Sequence, residues 1–173
     1  GIADLALTAA EMAKLHVEAA HLSQHYGYDQ ITPLDRAAAQ ALCPSPAYHG
    51  GYLDHGAGHL HPLAFALGLA RAAKAAGVRI FERSEVTSIT QGAKPVISCR
   101  DGSVICNHAI LACNGYLGQL NRRVAARVMP INNFIAATEP LGAETAKVLT
   151  KDIAVADTKF VVNYFRLSHD GRL

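Results

Sequence analysis

Residues 52–62, YLDHGAGHLHP, place three histidines in the spacing His55-x-x-x-His59-x-His61, with His49 just upstream. Neutral imidazole is the commonest metal ligand in proteins, so the spacing raises a metal site with Asp54 as a further donor. A metal needs fixed donor geometry and usually a fourth ligand or an open water position. Gly56 and Gly58 loosen this loop, and no second His/Cys cluster follows at finger-like spacing. The expectation is therefore no metal, with a metal-dependent hydrolase built on the loop kept as an alternative. His49 and His55 read as structural. A second pair with chemical potential is Tyr164 and Arg166 in NYFRL, because side chains two apart on a strand share a face. Asn163 takes the place of Tyr164 if the register slips by one residue.

Composition bounds what such groups can belong to. The chain has 173 residues, 50% hydrophobic and 17% charged, enough for one globular domain or two small lobes. Net charge is +2 with histidines neutral, and the basic residues are scattered without interleaved aromatics, so no nucleic-acid partner is expected. The apolar stretch PLAFALGLARAAKAAG is interrupted by Arg71 and Lys74 before spanning length, which excludes it as a membrane helix. No signal-peptide pattern opens the chain. Cys43, Cys99, Cys106 and Cys113 form no C-x-x-C pair. Pairing across the Asp101-Gly102 turn sets Cys99 opposite Val104, out of register with Cys106. Free thiols and a cytoplasmic setting are expected.

The elements that position these residues follow from capping and periodicity. Thr8-x-x-Glu11 is a capping box, and Met12, Leu15, Ala19 and Leu22 recur at helical spacing, which predicts a helix over 9–26 ended by Gly27. Thr32-Pro33 predicts a second helix, capped by the threonine and running to about Leu42. Residues 44–61 read as a loop. A third, Ala-rich helix runs from Pro62 to Ala76 and stops at Gly77. Short strands are expected at VRIF, VTSI, PVISC and VIC. HAILAC should be a strand covered on both faces. VMPINNFIAATEPL reads as a long strand, followed by a short helix near 143–149 and strands around 153–156 and 161–167. SHDGR is a hairpin turn with only Arg172 and Leu173 after it, so the chain reads as a piece of something longer.

The unit GHLHPLAFALGLARAAKAAGVRIFERSEVTSI resembles the FAD-dependent oxidoreductases related to D-amino-acid, glycine and sarcosine oxidases. HAILACNGYLGQL is similar to that family's second flavin-sheet strand, and MPINNFIAATEPL and NYFRLSHDGRL to strands of its substrate sheet. HYGYD, GHLHPL, TEPL and YFRLSHDGRL together most resemble its gamma-glutamylputrescine oxidoreductase branch.

The resemblance implies an α+β fold: a partial Rossmann-like FAD-binding sheet with an antiparallel-sheet substrate lobe. Residues 1–50 would be the helical part of the substrate lobe, 51–120 the FAD-binding lobe, and 121–173 truncated antiparallel strands. It implies FAD in the full-length parent, approached by the backbone at Val86 and by main chain at Ala112, Cys113, Asn114 and Gly115. The pyrophosphate-binding G-x-G-x-x-G turn does not occur in these residues; it would lie upstream, and this piece alone would hold FAD poorly. His59 and His61 would lie beside the flavin, with Tyr164 and Arg166 on the substrate wall. An arginine there can take a substrate carboxylate in a bidentate fork. The implied reaction is oxidation of a small amine to an imine and then an aldehyde, as in putrescine catabolism. No catalytic base is required if the amine arrives unprotonated. The Ala-rich helix should pack on a sheet containing Ile110 and Leu111. A small-molecule amine is the expected partner, no membrane is involved, and exposed strand edges suggest a homodimer. A non-catalytic stable core is the remaining alternative.

Overall fold

The computed structural model describes residues 1–173. In chain order the elements are β1 (Ile2–Ala6), α1 (Ala9–Tyr26), β2 (Ile31–Leu34), α2 (Arg36–Leu42), β3 (Gly50–Asp54), α3 (Pro62–Ala75), β4 (Val86–Thr90), β5 (Val96–Cys99), β6 (Gly102–Ile105), α4 (Arg122–Ala125), β7 (Ala154–Asp157) and β8 (Tyr164–Arg166). Two compact units result. One combines Gly1–Ala66 with Ala136–Leu173, and the other is Leu67–Ile135.

The first unit is built on a mixed sheet of order β2-β3-β1-β7-β8. β1 lies at its centre, antiparallel to β3 and parallel to β7. Alternation sends Ala3 and Leu5 of β1 to one face, where both are fully buried. Leu34, Leu53 and Val155 join them from neighbouring strands, with Ala39 and Leu42 of α2 and with Leu149 and Ile153. Residues directly opposite in a ladder share a face. The other face therefore carries two rows, Pro33–Tyr52–Asp4–Ala156–Tyr164 and Ile31–Asp54–Ile2–Ala154–Arg166.

Helix α1 has the predicted limits and caps. The Glu11 amide donates to Thr8 Oγ1 at 3.2 Å, the Thr8 hydroxyl donates to Glu11 Oε2 at 2.8 Å, and Gly27 closes the helix with φ +63°. The helix packs on β1, β2 and β3. His16 Nε2 lies 3.0 Å from the Leu34 carbonyl oxygen and 2.9 Å from that of Gly51. Carbonyls only accept, so Nε2 carries the proton and pins α1 to β2 and β3.

The second helix starts later than Thr32-Pro33 predicts. Asp35 is its N-cap, accepting the Ala38 amide at 2.8 Å, while Thr32 and Pro33 lie in β2. β2 is an edge strand, where a proline's missing donor is tolerated. Residues 50–54, expected within a loop, form β3.

The second unit holds the antiparallel sheet β4-β5-β6. Its turn sets Cys99 opposite Gly102, with Val104 opposite Ile97, which corrects the predicted Cys99–Val104 pairing. Cys106 lies at the other end of the hairpin, its amide bonded to the Pro95 carbonyl at 3.0 Å, and all four cysteines are free thiols. Gly77 at φ +85° stops α3, its amide bonding to the Lys74 carbonyl.

Three predicted strands do not form: 78–81, 108–113 and 128–141 carry no ladder. An apolar run becomes a strand only when another strand satisfies its backbone. No segment of this chain does so here, and Ile110 is 89% exposed. The expected sheet containing Ile110 and Leu111 is thus missing, and no residue of α3 is buried. The helix predicted near 143–149 is a 3-10 turn over Gly142–Lys147. At 168–172 the expected turn forms, with the Ser168 amide donating to the Arg172 carbonyl at 2.8 Å.

Candidate functional site

The loop histidines diverge. His55 bonds Thr32 Oγ1 through Nε2 at 3.2 Å. His61 accepts the Ala64 amide on Nδ1 at 3.2 Å, capping the start of α3. His59 Nε2 lies 3.3 Å from Asp152 Oδ1. Asp54 is occupied within its own turn, accepting the Tyr28 hydroxyl at 2.7 Å and the Gly56 and Ala57 amides. No three His, Cys, Asp or Glu side chains of the chain converge on a point that could hold a metal. The hydrolase alternative loses its geometric basis.

Burial pushes the Asp54 carboxyl up, but the Tyr28 hydroxyl and the Ala57 and Gly56 amides outweigh it and hold the group below its ordinary 3.8. A depressed carboxyl stabilises the fold above its unfolded value, and that contribution is lost as pH falls from 3.8 through the folded value. Asp54→Asn is therefore expected to flatten this acid limb of the denaturation profile and to leave the profile near neutral pH parallel to that of the unaltered chain. A variant profile still falling as steeply below 3.8 would show that the turn does not carry the effect.

Two predicted residues meet on one surface. Tyr164 pairs with Ala156 and Arg166 with Ala154, so both project from the same face of β8, above two alanines of β7. Arg166 is half-buried. Asn163 points elsewhere, and its amide and Nδ2 donate to the buried Asp157 at 3.0 and 2.8 Å, bracing the β7–β8 connection. His59 comes to the start of the same hairpin, since Asp152 stands two residues before Ala154, the partner of Arg166. His59 thus reaches the Asp152 end of the hairpin whose β8 carries Tyr164 and Arg166, while His61 is committed to its helix.

The same sheet face carries a polar group that the histidine and NYFRL patterns do not point to. Asp4 is hydrogen-bonded to Tyr52, its ladder partner, near Glu18 of α1. Burial raises the Asp4 carboxyl against the lowering effect of that bond, and burial with the neighbouring carboxylates raises the Tyr52 phenol. A signal for it exists in the sequence: Asp4 alternates with Ala3 and Leu5, so a strand there must present it opposite the apolar face.

The predicted nucleotide contacts lie in the second unit. Val86 opens β4, an edge strand whose outer backbone is unpaired within the sheet. It borders a cavity of about 1400 Å³ also lined by Arg79, Arg83 and Arg100 and by the carboxylates of Glu85 and Asp101. Guanidinium groups and a free strand edge suit an anionic nucleotide. Ala112 to Gly115 lead into a 3-10 turn over Asn114–Tyr116, with Asn114 at φ +48°. A side chain at Gly115 would meet only Pro130, at 3.8 Å, so main chain there is approachable. Such groups could hold part of an FAD, whose pyrophosphate turn does not occur in this chain.

Comparison with known proteins places the chain in a family. The family described as FAD dependent oxidoreductase (DAO) matches residues 1–173. The chain is 40% identical over 159 residues to the probable oxidoreductase OrdL of Rhizobium meliloti, covering 91% of this chain and 36% of that protein. It is 34% identical over 179 residues to the OrdL of Haemophilus influenzae, covering 100% and 42%. Gamma-glutamylputrescine oxidoreductase of Escherichia coli is 36% identical over 152 residues, covering 87% and 36%. Among solved structures, glycine oxidase from Geobacillus kaustophilus superposes with a TM-score of 0.73 at 20% identity, covering 100% of this chain and 45% of that one. L-proline dehydrogenase from P. horikoshii gives 0.65 at 15% identity, covering 99% and 46%. The mixed α+β fold is that of these enzymes, and the chain spans less than half the length of each relative.

Proposed function

The chain belongs to the family of FAD-dependent oxidoreductases, and from that premise we propose that the protein oxidises a small amine bearing a carboxylate, of the gamma-glutamylputrescine kind. The observation that carries this reading is the half-buried Arg166 beside Tyr164 over the small residues Ala154 and Ala156. A guanidinium held on a rigid strand above a low floor is shaped for a carboxylate, and the phenol beside it supplies an orienting hydrogen bond. The 36% identity to the E. coli gamma-glutamylputrescine oxidoreductase supports the same substrate class.

FAD, when bound, would supply the acceptor for a hydride from the carbon next to the amine nitrogen. The residues of this chain bind and orient. Arg166 holds the carboxylate and Tyr164 the polar end of the substrate. His59, steadied by Asp152, donates a hydrogen bond at the edge of the same hairpin. His61 shapes the loop by capping α3. The backbone at Val86 and main chain at Ala112, Cys113, Asn114 and Gly115 would face the nucleotide. Loss of the hydride and a proton leaves an imine, which water converts to an aldehyde and the released amine.

Anaerobic mixing of the purified full-length flavoprotein with gamma-glutamylputrescine should bleach the flavin absorbance, and putrescine, which has no carboxylate, should do so far more slowly. A full-length protein that purifies without flavin and takes up none, or whose flavin no amine reduces, would overturn the proposal.

A further inference from the structure

We propose that His21 and His25 form a chelating pair for a borderline divalent cation such as Zn²⁺ or Cu²⁺, at the C-terminal end of α1 and independent of the oxidoreductase site. Residues four apart on a helix lie one above the other. The two imidazoles are stacked, with ring centroids 4.2 Å apart and planes 29° from parallel, and both are exposed. Two imidazoles so spaced on one helix face are an established way to hold a first-row metal.

A second observation concerns the tautomer. His25 Nδ1 lies 3.3 Å from the His21 carbonyl oxygen. That oxygen only accepts, so Nδ1 carries the proton and Nε2 is the nitrogen left for a metal. An Nδ1–H bonded to a backbone carbonyl is the arrangement that orients metal-binding histidines. Tyr26 packs edge-on against His21, its ring centroid 5.7 Å away, and limits how that ring can turn.

With metal–nitrogen bonds of about 2.0–2.1 Å, two ligands on one ion stand roughly 3 Å apart. Binding has to open this stack, because near-parallel rings point their lone pairs past one another, and the rings must turn about their χ angles until both nitrogens face one ion. No third His, Cys, Asp or Glu converges here, so water completes the coordination, and imidazole nitrogen favours zinc, copper and nickel over calcium or magnesium. Bridging one turn to the next, the ion would clamp the end of α1 just ahead of Gly27.

Untagged protein freed of metal and titrated calorimetrically with Zn²⁺, and separately with Cu²⁺, should take up one equivalent at micromolar concentration, with a rise in Tm. His21→Asn and His25→Asn should each weaken that binding at least tenfold and abolish the rise in Tm, while His169→Asn leaves both unchanged. Circular dichroism of the metal-free variants checks that α1 is retained. Uptake that is absent from the unaltered protein, or that persists in both α1 variants, would overturn the assignment. Flavin reduction plays no part in this readout, so it stands or falls apart from the proposed oxidoreductase activity.

Discussion

Gly51→Ala is expected to lower stability by more than about 4 kcal/mol, a large share of the roughly 5–15 kcal/mol that holds a typical domain folded. Gly51 lies in β3 at φ +153°, opposite Leu5 of the central strand. A Cβ there would drive into the Asp4 carbonyl oxygen and come within 3.1 Å of the Leu5 Cα. These are backbone atoms of a strand paired on both sides, so they cannot swing aside as a side chain would. Relief requires opening the β1–β3 ladder, which also exposes the fully buried Leu5. Gly58→Ala is the matched control. A Cβ at Gly58 meets nothing within 4 Å, and its stability should stay within about 0.5 kcal/mol of the unaltered chain. Urea denaturation of both variants decides the matter: a Gly51→Ala midpoint at the starting value would mean that β1 and β3 do not pair as described.

Arg166→Leu should separate recognition of the substrate's carboxylate from the chemistry at its amine. Hydrogen bonds to charged groups contribute about 1.5–3 kcal/mol, so KM for a carboxylate-bearing amine should rise roughly 10- to 100-fold. Leucine keeps most of the side chain's bulk on β8, and the half-buried position tolerates an apolar replacement. An amine without a carboxylate should be oxidised at nearly the same rate by both forms. Lysine at this position should recover only part of the loss, because an ammonium has no fork. Equal losses on both classes of amine would assign Arg166 to the architecture of the β7–β8 hairpin instead.

How far the sequence foretold this molecule depends on where each element's partners are. Helix α1 was legible to its last residue because its signals are local: Thr8 and Glu11 at one end, Gly27 at the other. β4, β5 and β6 were legible because consecutive strands pair across short turns. β1 was missed since its reason for being a strand lies in β3 and β7, far along the chain. β3 was missed because His49-Gly50-Gly51 shows no alternation, and its glycines serve close backbone approach rather than turns. The runs at 108–113 and 128–141 carry the opposite lesson, since apolar composition proposes a strand and only a neighbour makes one. At the site, the shared face of Tyr164 and Arg166 followed from period-two alternation alone. The pairing of His59 with Asp152 did not, because it joins a loop to the start of β7 across most of the chain.

The parallel pairing of β1 with β7 sets an order of events during synthesis. The strand at the middle of the principal sheet leaves the ribosome well ahead of its neighbour on one side. Until Ala154–Asp157 emerge, Ile2 to Leu5 cannot zip onto them, and the apolar side chains of the first strand must wait on one flank without their permanent neighbour. Contacts of such long sequence separation make for slow maturation. Nascent chains stalled before residue 154 should therefore be the ones that depend most on chaperones.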